Sequence, residues 1–117
     1  MAKKIISDIF IILSLTTNFM FLYFPNGITI FIALFINLFA TIFKLGESKF
    51  LATKILATSF VSDLHLMPAI FLFFLGYKDF AISLAIGALV SNIISVLLVI
   101  IESVLLLFEE WFIFFIY

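Results

Sequence analysis

Four apolar runs separated by short breaks leave this chain few ways to fold. They cover residues 5–24, 28–45, 55–76 and 80–101, each near the ~20 residues a helix needs to cross the hydrocarbon of a bilayer. Pro25-Asn26-Gly27 is a turn signal between the first two. Between the second and third, KLGESKFLATK from Lys44 to Lys54 is the one clearly polar connection. The remaining stretch, 102–117, stays apolar apart from Glu102, Ser103, Glu109 and Glu110. Trp111 and Tyr117 suit a headgroup region, so a helical extension or an interfacial tail is expected there.

Composition agrees on the solvent. Charged residues make up 11% of the chain and hydrophobic ones 67%, where a soluble domain carries about 25% charged residues. Mean hydropathy is +1.45. The expected fold is an all-α membrane protein, a single integral membrane domain over residues 1–117. It is a four-transmembrane-helix bundle of two antiparallel hairpins, with the lipid bilayer as its first partner. A net charge of −1 offers nucleic acid no basic surface. The absence of cysteine excludes disulfides, thiolate metal sites and dithiol chemistry. The MAKK start fits a signal peptide, but no small-x-small cleavage site follows the first run, so that helix is expected to be retained.

Lysine placement orients the bundle. All six basic residues are lysine: Lys3 and Lys4 precede the first span, and Lys44, Lys49 and Lys54 lie between the second and third. Only Lys78 falls on the other side. The positive-inside rule then puts both the N and C termini in the cytoplasm. Heavy use of Phe, Ile, Leu and Lys hints at an AT-rich bacterial genome, and the expected location is a bacterial inner membrane, with the chain as a multi-pass protein. Glu102 is expected at the cytoplasmic interface near Lys44 or Lys54.

Within the spans, polar residues gather at one depth. At 1.5 Å per residue, Asp63 lies ~12 Å and His65 ~15 Å from the cytoplasmic end of span three, and Asn92 ~14 Å above that end on span four. Asn37 on span two falls slightly lower, while Thr17 and Asn18 on span one fall near the midplane. On span three, Ser59, Ser62, Asp63 and His65 share one sector of the helix. A central Asp facing lipid costs on the order of 3 kcal/mol, so this sector must face the bundle interior, a subunit partner or water. Asp63 is expected to bond a polar residue of another helix: Asn92, Ser95, Asn37 or Thr17. Pro68 removes the helical donor for the Leu64 carbonyl, which points to a kink or a bound water beside His65.

A buried carboxyl near an imidazole suits proton uptake and release. The same groups serve equally as hydrogen-bonding links between helices. One His and one Asp are too few for a metal site, and no cofactor is implied. On span four, Ser83, Gly87, Ser91 and Ser95 repeat at intervals of four, the small-xxx-small spacing that lets helix backbones approach. That stripe fits packing within the monomer or an oligomer interface.

The stretches LTTNFMFLY, NLFATIFKLGE, LATSFVSDLHL and GALVSNIISVLL together resemble a family of small, uncharacterised tetraspan membrane proteins of Campylobacterota and some marine bacteria. The similarity covers roughly Leu13 to Ile101. It implies a fold and a location and no activity. Small multidrug transporters fit less well, since they use a glutamate in the first helix where this chain has Asn18. Fluoride channels carry an arginine in helix one, and this chain has no arginine.

Two functions remain open at this level. One is a small homo-oligomeric ion or proton pathway centred on Asp63 and His65, with Ser59, Ser62, Asn92, Asn37, Asn18 and Thr17 around them. The other is a non-catalytic accessory or assembly subunit that binds another membrane protein through the Ser83/Gly87/Ser91 stripe. An enzyme is not expected, for want of a nucleophile–base pair or a metal shell. An open passage to Asp63 favours the first reading; a closed, satisfied polar cluster favours the second.

Overall fold

The computed structural model describes residues 2–47 and 50–116; Lys49 and Tyr117, used above, lie outside them. Four helices follow in chain order: α1 Ala2–Tyr23, α2 Gly27–Lys44, α3 Phe50–Phe74 and α4 Lys78–Ile116. All four are long and apolar enough to cross a membrane. Each packs against its two neighbours in a closed ring, with α1 meeting α4. Consecutive helices are antiparallel, as the short connections require.

The turns are written in the local sequence. Phe24, held out of the helical region by Pro25, ends α1. Asn26 then caps α2: its side chain accepts from the amides of Ile28 (3.0 Å) and Thr29 (2.9 Å), and the Thr29 hydroxyl accepts from the Asn26 amide at 3.2 Å. This is a reciprocal capping box. At the same end of the bundle α3 stops in a Schellman motif, with Tyr77 N donating to Leu72 O (2.9 Å) and Gly76 N to Phe73 O (3.2 Å). Gly76 takes φ +97° there, a left-handed position that favours glycine. Gly27 abuts the Phe74 ring, 3.0 Å from where its Cβ would be, so the ring packs directly on the start of α2.

One helix bound differs from the sequence expectation: α3 starts at Phe50, so Lys54 lies on the helix rather than before it. Of the two forms expected for the stretch after Ile101, α4 takes the helical extension and runs unbroken to Ile116, 39 residues in all, about 58 Å at helical rise. α3 also continues through Pro68 without interruption.

The interior is layered. Phe21, Ile30, Leu66, Phe73 and a set of small residues including Ala33, Ala85 and Ala88 form an apolar cluster toward the end carrying Pro25. Ile11, Ala40, Ile55 and Val99 form a second cluster toward the lysine-rich end. Between them lies a buried polar layer. Outside, large apolar side chains such as Phe19, Phe35, Phe71 and Leu97 are more than half exposed. Water-soluble monomers rarely present a contiguous apolar surface of that kind.

Candidate functional site

The polar layer links all four helices through one chain of hydrogen bonds. Asp63 on α3 is 4% exposed. Its Oδ1 accepts from Asn37 Nδ2 on α2 at 3.1 Å, and its Oδ2 accepts from the Thr41 hydroxyl, one turn further along α2. Asn37 Oδ1 in turn accepts from Asn92 Nδ2 on α4 at 3.0 Å. The same Asn92 amide lies 3.3 Å from the Ser14 carbonyl on α1. The contact between Asn37 and Asn92 crosses the bundle diagonally, because α2 and α4 are not neighbours in the ring.

Around Asp63 the bonding accommodates either protonation state without moving a heavy atom. Thr41 Oγ1 is 2.7 Å from Ser59 Oγ and 3.1 Å from the Asn37 carbonyl. With an ionised Asp63, Thr41 donates to the carboxylate and Ser59 donates to Thr41. With a protonated Asp63, the carboxyl proton goes to Thr41, which then donates to the Asn37 carbonyl. Every Asp63 partner is a neutral dipole. Good partners matter here, since a buried carboxyl left unpaired is costly.

His65 takes no part in this cluster. Its Nδ1 lies 2.8 Å from the Val61 carbonyl on its own helix, and its ring packs on Gly87 of α4, 2.6 Å from where a Cβ would be. Asp63 therefore faces α2 while His65 faces α4, as the i, i+2 spacing dictates. Ser62 donates to the Ala88 carbonyl at 3.1 Å, and Thr58 and Ser95 share a 2.6 Å contact. Thr17 is spent locally, on the carbonyls of Leu13 and Ser14. Asn18 is fully buried one turn beyond Ser14, and among the described residues neither its amide nitrogen nor its oxygen has a partner.

The α4 stripe is consumed inside the monomer. Gly87 meets His65, Ser95 bonds Thr58, and Ser91 is 8% exposed. Ser83 alone is exposed, its hydroxyl turned back to the Asp79 carbonyl. This close approach of α3 and α4 needs small residues and covers three of the four members of the stripe.

Sequence reading missed Ser14, Thr41 and a charged cluster at the lysine-rich end. Lys4 Nζ lies 2.6 Å from both Asp8 and Glu102, and the fully buried Lys44 lies 3.0 Å from both Asp8 and Glu47. Five charges of alternating sign thus tie α1, α2, α4 and the connection before α3. Glu102 pairs with Lys4 rather than with Lys44 or Lys54. The signal for Thr41 and Lys44 was present, since Asn37, Thr41 and Lys44 fall on one face of α2 at helical spacing. Among the described residues no three His, Asp or Glu side chains converge to hold a metal ion.

Fold and site together define a small four-helix protein with an apolar perimeter and an internal polar layer, built as a multi-pass membrane protein would be. The chain belongs to a family of unknown function, DUF6394, whose model matches residues 24–103. No curated protein and no solved structure matches it. The matched region takes in α2, α3, Asp63 and α4 as far as Ser103.

Proposed function

We propose that this is a multi-pass protein of the bacterial inner membrane, both termini cytoplasmic, serving as a non-catalytic accessory or assembly subunit. The observation that carries this reading is the closure of the Asp63 site. Both carboxylate oxygens are bonded by side chains of α2, and the residue is 4% exposed. In hydrocarbon such bonds act as cross-links between helices. The apolar perimeter supplies the lipid contact. The lysine-rich end, anchored by its ion pairs, supplies the cytoplasmic face.

A second reading, a proton pathway through Asp63, draws on the ability of Thr41 to serve both protonation states. It also draws on the polar column that runs from Lys44 through Thr41, Asn37 and Asn92 toward Asn18. Purified protein in liposomes, under an imposed pH gradient, decides between them. The assembly reading expects no proton flux above empty vesicles. Flux that disappears in Asp63→Asn would replace it with the pathway.

A further inference from the structure

α4 outruns the bundle. Glu102, paired with Lys4, marks the last level at which α1 and α4 are joined. Residues 103–116 continue beyond it as unbroken helix, about 21 Å of it at helical rise. Every residue described there is exposed except Leu106, which is half-buried. With Glu102 at the membrane surface, this segment projects into water carrying Phe108, Trp111, Phe112, Phe114 and Phe115. An apolar helix of that kind needs a cover.

The spacing says what covers it. Leu97, Ile101, Val104, Phe108, Trp111 and Phe115 are separated by 4, 3, 4, 3 and 4 residues, the alternation of a coiled-coil seam. All six are 44–72% exposed. The polar pairs Glu102-Ser103 and Glu109-Glu110 recur seven residues apart at the b and c positions, turned away from that seam. Identical acidic pairs would repel across a self-interface if they stood on it. The seam also lies on the side of α4 opposite the bundle-facing Asn92, Ser95 and Val99, so a second α4 can approach without dislodging α1 or α3.

We propose that the outer face of α4, and above all residues 103–116, is the interface with a second copy of this chain, the α4 helices running parallel as a coiled coil. Copies sharing one membrane orientation place these seams side by side in register, an isologous contact. Lying the extension on the lipid surface instead requires a bend. α4 has neither proline nor glycine after Gly87 to make one. The extension has acidic and no basic side chains, and an anionic cytoplasmic leaflet repels it.

The inference rests on the membrane reading above, and the test separates the two. The chain has no native cysteine and a single tryptophan, Trp111. Single substitutions Val104→Cys, Phe108→Cys, Glu109→Cys and Glu110→Cys are oxidised in isolated membranes after an alkaline carbonate wash. Release of the protein by the wash overturns the membrane reading. In washed membranes, disulfide-linked dimer at positions 104 and 108 with its loss at 109 and 110 is the expected pattern. Equal cross-linking at all four positions, or none at any, overturns the interface. Brominated lipids in vesicles give the second arm. Unquenched Trp111 fluorescence is expected, and strong quenching would assign the extension to the lipid surface and overturn the proposal.

Discussion

Gly87 and His65 occupy space that admits no third group: a Cβ on Gly87 would sit 2.6 Å from His65 Cδ2 and 2.9 Å from Nε2. Gly87→Ala must therefore turn the imidazole away and break its contact with the Val61 carbonyl. The expected loss is about 1 kcal/mol, the worth of one such hydrogen bond. Thermal unfolding in detergent measures it. Adding His65→Ala should recover most of the loss, a coupling that shows the two positions share one space. Additive losses would place the cost elsewhere on α4.

The charged cluster ranks its lysines. Lys44 is fully buried and serves two carboxylates, whereas Lys4 is partly exposed. Exposed ion pairs are worth about 0–1 kcal/mol, and breaking a buried pair costs about 3–5. Asp8 keeps Lys4 when Lys44 is lost, so Lys44→Met should cost about 2 kcal/mol, between those limits. Lys4→Met should cost less, and high salt should narrow the gap only slightly. Chemical denaturation of the two variants side by side gives the order; a costlier Lys4→Met would refute it.

Asn18 presents the opposite case. A buried amide with no partner costs about 1–3 kcal/mol, so Asn18→Leu should raise the unfolding temperature. A drop on substitution would mean that the amide is bonded in the membrane by a solvent molecule or an ion held within the bundle, which would favour the pathway reading of the layer.

Orientation is tested by reporters. Fusions after Ile116 and within the Pro25–Ile28 turn should report opposite sides of the membrane, the former cytoplasmic. Both on one side would remove the four-span arrangement.

How much was legible in the sequence depended on which interactions are local. Helix number, the turn at Pro25-Asn26-Gly27 and the break after residue 76 follow from local chemistry, and all could be read. The partner of Asp63 could be narrowed by depth to a few residues, and Asn37 was among them. Thr41 shares a face of α2 with Asn37 and Lys44, but that spacing does not say which helix the face meets until the partner's azimuth is known. Pairwise azimuth is a tertiary property, which is also why His65 was grouped with Asp63 although the two face different helices. The Ser83–Ser95 stripe was recognised as small-residue packing, but only the position of α3 shows that three of its four members are already covered. The exposed seam further out on α4 depends on where the bundle ends. Lys4–Glu102 sets that level, and this pair spans nearly the whole chain.

Asp63 ties α3 to α2 within the polar layer that links all four helices, and the most direct test is the unfolding free energy of Asp63→Asn and Asp63→Leu beside the parent protein in lipid-like detergent. An asparagine at position 63 can accept from Asn37 and donate to Thr41, which passes its proton to the Asn37 carbonyl, so near-parental stability is predicted. A leucine leaves Asn37 and Thr41 without that partner, and a loss of about 1–2 kcal/mol is predicted. Parental stability in Asp63→Leu would contradict the account.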